Sequence, residues 1–268
     1  MKLSRRKLAL LAAMFVLGLY CLKNSGSSED RTALAVRSGK ITRRLYLMGG
    51  GNVQQCIDEF AKEVGNGKIV ILPHASEFPQ QAAMQTVDAF RKAGIKKLQI
   101  LLPDSEDDIA EDAAGIFMTG GKQRLLSERL RKLLPGPRKN GENTLLSQLQ
   151  RHYQEGKLVG GTSAGAAAVT KTMIAGWQKR HVPLLLEGLA LVDDLVVDMH
   201  FDTYPDRAQR LTFCVNKLKV RGFGIPEGSG VYMCEVEEGG VVKRQLKVTG
   251  NSAVTFVTFK SAPNMEVR

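Results

Sequence analysis

The sequence predicts an α/β protein of three layers, a mostly parallel sheet with helices on both faces and antiparallel ribbons near the C-terminus. From about residue 43, short β-rich runs alternate with helix-patterned stretches, as βα repetition requires. Several of those runs are apolar on consecutive residues, Ile69-Val70-Ile71-Leu72 above all, which is the pattern of a strand covered on both faces. After residue 229 the pattern changes to alternating segments broken by Glu238-Gly239-Gly240 and Gly250-Asn251, the mark of hairpins rather than crossovers.

In chain order the strands are predicted over residues 44–48, 68–72, 97–102, 115–119, 157–160 and 195–201, with helical stretches between most of them. A small-residue helix is expected over residues 164–173. Residues 230–237, 243–249 and 253–259 complete the list as antiparallel ribbons at the sheet edge. Residues 134–143 contain Pro135, Gly136, Pro137 and Gly141 and read as a surface loop within one domain.

Ahead of this body, residues 1–25 read as a targeting segment. Lys2, Arg5, Arg6 and Lys7 precede a run over residues 8–22 without charge, and polar Lys23-Asn24-Ser25-Gly26-Ser27-Ser28 follows. As a helix that run reaches only about 22 Å, short of the roughly 30 Å of a hydrocarbon core, so a signal peptide or a minimal membrane anchor is expected. Cleavage and tethering both stay open, because Ala33-Leu34-Ala35 has the small-x-small form of a cleavage site but lies far beyond the apolar run. Residues 26–42 are read as a linker and 43–268 as the body. The body is expected to be exported, periplasmic or extracellular, or to be held on a membrane facing outward.

Composition narrows the function. With 268 residues and 43% hydrophobic content, the chain buries a sizeable core and is not disordered overall. Its net charge is +11, of which Lys2, Arg5, Arg6, Lys7 and Lys23 against Glu29 and Asp30 place only +3 in the first 30 residues. A basic body attracts acidic partners, yet aromatic content is only 6% and no zinc-knuckle or RNP-like stretch exists, so no nucleic-acid partner is expected. Cys21, Cys56, Cys214 and Cys234 show no C-x-x-C spacing and read as small hydrophobes. No metal is expected, for want of paired His/Cys spacing, and no cofactor is called for. The oligomeric state is open, a homodimer being one form.

Glycine clusters follow two strand ends. Gly49-Gly50-Gly51-Asn52 fails as a dinucleotide fingerprint because Gln54 occupies the third glycine position, and Thr119-Gly120-Gly121-Lys122-Gln123 fails the phosphate-loop spacing. Each is either close strand-to-helix packing or a substrate-facing loop. Gly161-Thr162-Ser163-Ala164-Gly165 is more specific, since it joins a β-run to a small-residue helix, the context of a nucleophile elbow. A strand turning straight into a helix forces its central residue into strained geometry, and only tiny neighbours let the turn close. Ser163 is therefore the candidate nucleophile, with the Ala164 amide at the helix start and the Gly121 amide as oxyanion donors.

A serine needs a base. His74, His152 and His181 read as exposed or locally satisfied. His200 ends Leu195-Val196-Val197-Asp198-Met199-His200-Phe201, where a period of two puts Asp198 and His200 on one face.

Together Gly160-Gly161-Thr162-Ser163-Ala164-Gly165-Ala166-Ala167, Thr119-Gly120-Gly121-x-Gln123, Asp198-x-His200-Phe201, Arg207-x-x-Arg210-Leu211 and Gly222-Phe223-Gly224-Ile225-x-Glu227 resemble, in order, the motifs of the cyanophycinase and dipeptidase E family of serine peptidases. The likeness covers about residues 43–260. It implies a fold similar to class I glutamine amidotransferases, a nucleophile at Ser163, a base at His200 and a substrate-positioning amide at Gln123. It further implies an aspartyl peptide substrate, either β-linked Asp-Arg units or the bond after an N-terminal aspartate. The third triad member is Glu227 or Asp198, with Glu227 favoured. Asp198, Arg207 and Arg210 then belong to substrate binding, the arginines by bidentate capture of a carboxylate or else as charges paired with nearby acids.

The chain departs from the family pattern at Lys122, Met199 and Pro226, and Tyr204 stands where an arginine is common. These changes raise the alternative of a catalytically inactive exported binding module on the same fold. An amidotransferase-type glutaminase is weakened by serine at the nucleophile position. Finally, Lys122, Arg124, Arg129, Arg131, Lys132, Arg138 and Lys139 face only Glu128 between residues 122 and 139, which reads as a solvated helix face or as an attraction for acidic peptides or anionic lipid headgroups.

Overall fold

The computed structural model describes residues 19–22, 39–136, 141–179, 182–259 and 266–267. The α/β expectation holds. Its elements are β1 (Leu19–Leu22), β2 (Lys40–Met48), α1 (Gln54–Val64), β3 (Lys68–Leu72), α2 (Pro79–Lys92), β4 (Leu98–Ile100), β5 (Ala113–Met118), α3 (Gln123–Leu130), α4 (Leu145–Gln154), β6 (Leu158–Thr162), α5 (Ala164–Ala168), β7 (Thr172–Lys179), β8 (Val182–Glu187), β9 (Leu195–Met199), α6 (Arg207–Leu218), β10 (Arg221–Ile225), β11 (Gly230–Glu238), β12 (Val241–Thr249), β13 (Val254–Val257) and β14 (Glu266–Val267).

An eight-stranded sheet runs in the order β14-β12-β11-β2-β6-β5-β3-β4. Within it β2, β6, β5, β3 and β4 are parallel neighbours, while β11 runs antiparallel to β2 and β12. The consecutive apolar residues explain themselves here, because alternate side chains feed two different cores. Leu45 and Leu47, Val70 and Leu72 point into a core shared with α3, α4 and α5. Tyr46 and Met48, Ile69 and Ile71 point the other way, against Phe60 of α1 and Phe90 of α2. There Phe60, Phe90 and Phe117 meet edge to face or tilted, at 5.1–5.6 Å between ring centroids.

A second, four-stranded sheet has the order β1-β13-β10-β9. It lies against the first core through Leu195, Val197, Met199, Phe223 and Ile225, and its other face is covered by Leu211, Cys214 and Val215 of α6. The C-terminal ribbons are therefore not one edge: β11 and β12 extend the large sheet, and β13 joins the small one. The sheet order also puts the ends of β9 and β10 side by side, which matters for the site.

Several elements differ from expectation. β2 begins at Lys40, inside the segment read as linker, because it pairs with β11 along its whole length. The helix after Ser163 stops at Ala168 rather than reaching residue 173. Just past its end the single Thr170 hydroxyl proton is shared between the Ala167 and Thr172 carbonyls, 3.0 and 2.8 Å away, and the Lys171 amide then donates to the Val192 carbonyl. Residues from Thr172 turn into the hairpin β7–β8, whose pairing carries two register irregularities that spoil any period-two signal. β10 was masked by its glycines, Gly222 and Gly224, which are required where a Cβ would collide with Val215 and with the Phe201 ring.

The charged N-terminal flank, most of the apolar run, the segment over residues 26–38, Arg138, Lys139 and His181 lie outside the described residues. The end of the apolar run, Leu19–Leu22, is β1, antiparallel to β13 with Leu19 opposite Val257 and Leu22 opposite Val254. Among the described residues no helix is long and apolar enough to cross a membrane.

Candidate active site

The site forms where β6 gives way to α5. Ser163 adopts φ 52°, ψ −112°, a strained conformation for a residue with a side chain. It persists because the surroundings over-determine it. The Ser163 amide donates to the Met48 carbonyl at 2.9 Å, and the Ser163 carbonyl accepts from the Ala166 and Ala167 amides at 3.0 Å. A Cβ on Gly161 would lie 2.6 Å from the Gly165 carbonyl carbon, and one on Gly165 would lie 2.5 Å from the Met118 carbonyl oxygen. The elbow thus admits only the small residues it has. All five residues of α5 are buried and small, so the turn is anchored in the core.

Ser163 Oγ lies 2.7 Å from His200 Nε2, and His200 Nδ1 lies 2.6 Å from Glu227 Oε1. His200 is not on strand β9 but just past it, at φ 51°, so the alternation expected to place it beside Asp198 is broken. The imidazole turns toward Ser163, while Asp198 stays on the α6 side. Glu227 arrives from the loop after β10, and its amide donates to Asp202 Oδ1 at 3.0 Å. Of the two carboxylates considered, Glu227 is the one that touches His200.

Under this row sits Gly49-Gly50-Gly51, where neither expectation for the cluster named the partner. A Cβ on Gly50 would overlap the His200 ring, and one on Gly51 would lie 2.8 Å from Glu227 Oε2. Main-chain bonds fasten the same strip: His200 N–H to Gly49 O and Gly228 N–H to Gly50 O, each 2.9 Å. The glycine run itself was the signal, but its partners lie about 150–180 residues further along the chain. Asp202 carried no sequence signal.

Ala164 is the first residue of α5, so its N–H has no partner within the helix. Gly120 brings the second loop close, since its Cβ position would lie 3.4 Å from Ser163 Cβ, and Gly121 follows at φ 142°. Gln123 opens α3, and its Nε2 donates to the Ile174 carbonyl of β7 at 3.3 Å.

Asp198, fully buried, accepts from both arginines. Arg210 grips it with Nε at 2.8 Å and Nη2 at 2.5 Å, and stacks over Trp177 at 5.1 Å. Arg207 adds one bond from Nη1 at 2.9 Å and lies over Tyr204 at 5.4 Å. Arg210 is thereby occupied on two donors, whereas Arg207 keeps most of its fork.

The departures from the family pattern leave this geometry in place. Lys122 pairs with exposed Glu77 at 2.8 Å, Met199 is buried in the core, and Pro226 presents its carbonyl to Ser229. Of the two readings for the other histidines, exposed or locally satisfied, the exposed one fails for those described. His74 and His152 are both buried, and desolvation holds each below the ordinary imidazole range, His74 at about 4 with help from the Arg129 charge. Cys56, Cys214 and Cys234 are buried free thiols, and burial pushes Cys56 and Cys214 up to about 12. No group of side chains suited to a metal ion occurs among the described residues.

A hydroxyl raised at a strand-to-helix elbow, an imidazole on it and a carboxylate behind the imidazole form the arrangement known from serine hydrolases on α/β sheets. The sequence model of peptidase family S51 matches residues 45–238. The chain belongs to that family of serine peptidases. Similar proteins include the cyanophycinase of Synechococcus elongatus, 31% identical over 221 residues that cover 76% of this chain and 63% of that protein. The cyanophycinase of Geminocystis herdmanii is 28% identical over 248 residues, covering 87% and 78%. The match thus spans less than two thirds of the first relative's length. Among solved structures, a peptidase from an acI-B1 Actinobacterium shares the fold with a TM-score of 0.53 at 18% identity, over 80% of this chain and 96% of that one.

Proposed function

We propose that the protein is a serine exopeptidase that hydrolyses aspartyl peptide bonds, β-linked Asp-Arg units or N-terminal Asp-Xaa peptides, through an acyl-enzyme. The observation that carries this is the unbroken run of short contacts from Ser163 through His200 to Glu227. Ser163 Oγ adds to the scissile carbonyl carbon as His200 Nε2 takes its proton, and Glu227 holds the imidazole by Nδ1–H. The Gly121 and Ala164 amides receive the oxyanion. Collapse of the tetrahedral adduct breaks the C–N bond, and His200 returns the proton to the departing amine. Water then attacks the acyl-serine ester with His200 again as base, releasing the acid and restoring the hydroxyl.

The aspartyl preference is supported by the cyanophycinase relatives and by Arg207, which gives Asp198 a single bond and keeps the rest of its donors. Gln123 and Arg207 contact the substrate, and the Asp198–Arg210 pair forms the wall that aims Arg207. The full chain and Ser163→Ala are incubated with a fluorophosphonate probe and with β-aspartyl-arginine and Asp-Xaa dipeptides. Serine-dependent labelling and amino-acid release are expected; equal labelling of the two, or none with no cleavage, ends the reading. The basic flank Lys2–Lys7 and the apolar stretch ahead of β1 support export of the body. Mass determination of the protein recovered from membrane and soluble exported fractions separates a cleaved from a tethered form, and recovery from the cytosol alone removes export.

A further inference from the structure

We propose that Arg129 is a positioning residue for the oxyanion loop: its guanidinium clamps the segment after β3, and that segment seats the Gly121 peptide beside Ser163. The inference rests on the reading of Ser163 as nucleophile and Gly121 as oxyanion donor. Arg129 Nη1 donates to the His74 carbonyl at 3.0 Å and to the Ser76 carbonyl at 2.7 Å. The carbonyl between them, that of Ala75, accepts the Lys122 amide at 2.8 Å. Three consecutive carbonyls are thus held from one side, two by a side chain of α3 and one by the residue just before α3.

The seat is tight. A Cβ on Gly121 would overlap the Ala75 carbonyl, and on the far side the Gly120 Cβ position lies 3.4 Å from Ser163 Cβ. The Gly121 peptide is therefore confined between residues 75–76 and the nucleophile, and a shift of the Ala75 carbonyl displaces it. Arg129 differs from its neighbours in how its charge is used. Arg124 pairs with Glu128 and Arg131 with Glu187, whereas among the described residues no carboxylate pairs with Arg129, whose Nη1 bonds main-chain carbonyls instead. Charge-assisted bonds of this kind are about twice as strong as neutral ones. The buried His74 ring beside it is kept neutral, its pKa lowered to about 4, and so does not repel the guanidinium.

Small displacements in a preorganised site cost about a hundredfold in rate, comparable to losing one oxyanion donor. Arg129→Ala is accordingly expected to lower kcat by about tenfold to a hundredfold and to leave KM for β-aspartyl-arginine nearly unchanged. Arg129→Lys recovers part of the loss. The diagnostic readout is inhibition by an aspartyl aldehyde, whose hemiacetal with Ser163 places an oxygen in the oxyanion site. Its affinity should fall in step with kcat/KM across the Arg129 variants while affinity for the product aspartate stays constant.

Unchanged kcat/KM in a folded Arg129→Ala variant overturns the clamp, as does an equal loss of aldehyde and aspartate affinity. If that variant fails to fold, Arg129→Lys and Arg129→Gln carry the same comparison, with Arg124→Ala as a control expected at the native rate. A native chain without Ser163-dependent turnover removes the serine-peptidase reading, whereas native turnover indifferent to Arg129 removes only the clamp.

Discussion

Two carboxylates hang from the same end of the small sheet and have opposite fates. Asp198 lies on β9 opposite Gly224 of β10, and Glu227 follows β10 by two residues. Asp198 is 0% exposed and is taken by two guanidiniums; Glu227 has a side chain 46% exposed and holds His200. The difference is one of solvation. A buried carboxylate needs full charge compensation, which fixes it as part of the scaffold. An exposed one can stay singly engaged, free to steady an imidazole whose charge changes during turnover.

The sharpest way to break this contrast is Glu227→Ala. Losing the orienting acid of such a constellation costs up to about 10⁴-fold in kcat, and with half of the side chain in water the urea midpoint should barely move. A large loss of stability at unchanged kcat would reverse the assignment. Asp198→Ala is the mirror experiment. It strands two guanidiniums, one of them 4% exposed, and breaking a buried pair costs about 3–5 kcal/mol, so denaturant unfolding should show the main effect. Asp198→Leu with Arg210→Leu should recover part of that stability, because the more deeply buried of the two stranded charges is gone and only Arg207, 15% exposed, is left without its partner.

His74 sharpens the same contrast from another side, as a buried ionisable group with no counter-charge. The folded protein keeps it neutral down to about pH 4, while an unfolded histidine protonates near 6.5. Between those values the unfolded chain binds more protons, so stability falls as the pH drops from about 6.5 to about 4 and levels off below. The contribution is at most about 3 kcal/mol. His152, lowered likewise by burial, adds in the same direction. Urea midpoints across that range should lose part of their slope in His74→Asn, and an identical slope would remove His74 as the cause. The smallest effect belongs to Arg207→Ala. It should raise KM for an aspartyl dipeptide severalfold and cost about 1 kcal/mol of stability or less, since Arg210 still neutralises Asp198. Unchanged KM would make Arg207 purely structural.

Ser163 was legible because an elbow is local: strand, small residues and helix are contiguous, and sterics alone dictate the pattern. His200 and Glu227 were legible through ordered motifs, though the period-two reading of Asp198 beside His200 was misleading because the backbone turns to φ 51° just past β9. What could not be read depends on distant pairs. The collision between a Gly50 side chain and the His200 ring joins residues 150 apart, and nothing near Gly50 reveals it. The basic run after Lys122 reads as a solvated surface by composition, yet Arg129 and Arg131 bend back onto main-chain carbonyls of residues 74, 76 and 188. The β7–β8 hairpin escaped because its register irregularities erase alternation.

The glycine strip after β2 has an evolutionary corollary. Residues 49–51 supply no reactive atom, yet a methyl group on Gly50 would wedge the imidazole and one on Gly51 would crowd the acid behind it. In a saturation library this crossover should be nearly as intolerant as Ser163 itself, so fitness would outline the Ser163–His200–Glu227 row from beneath by the shape of a gap.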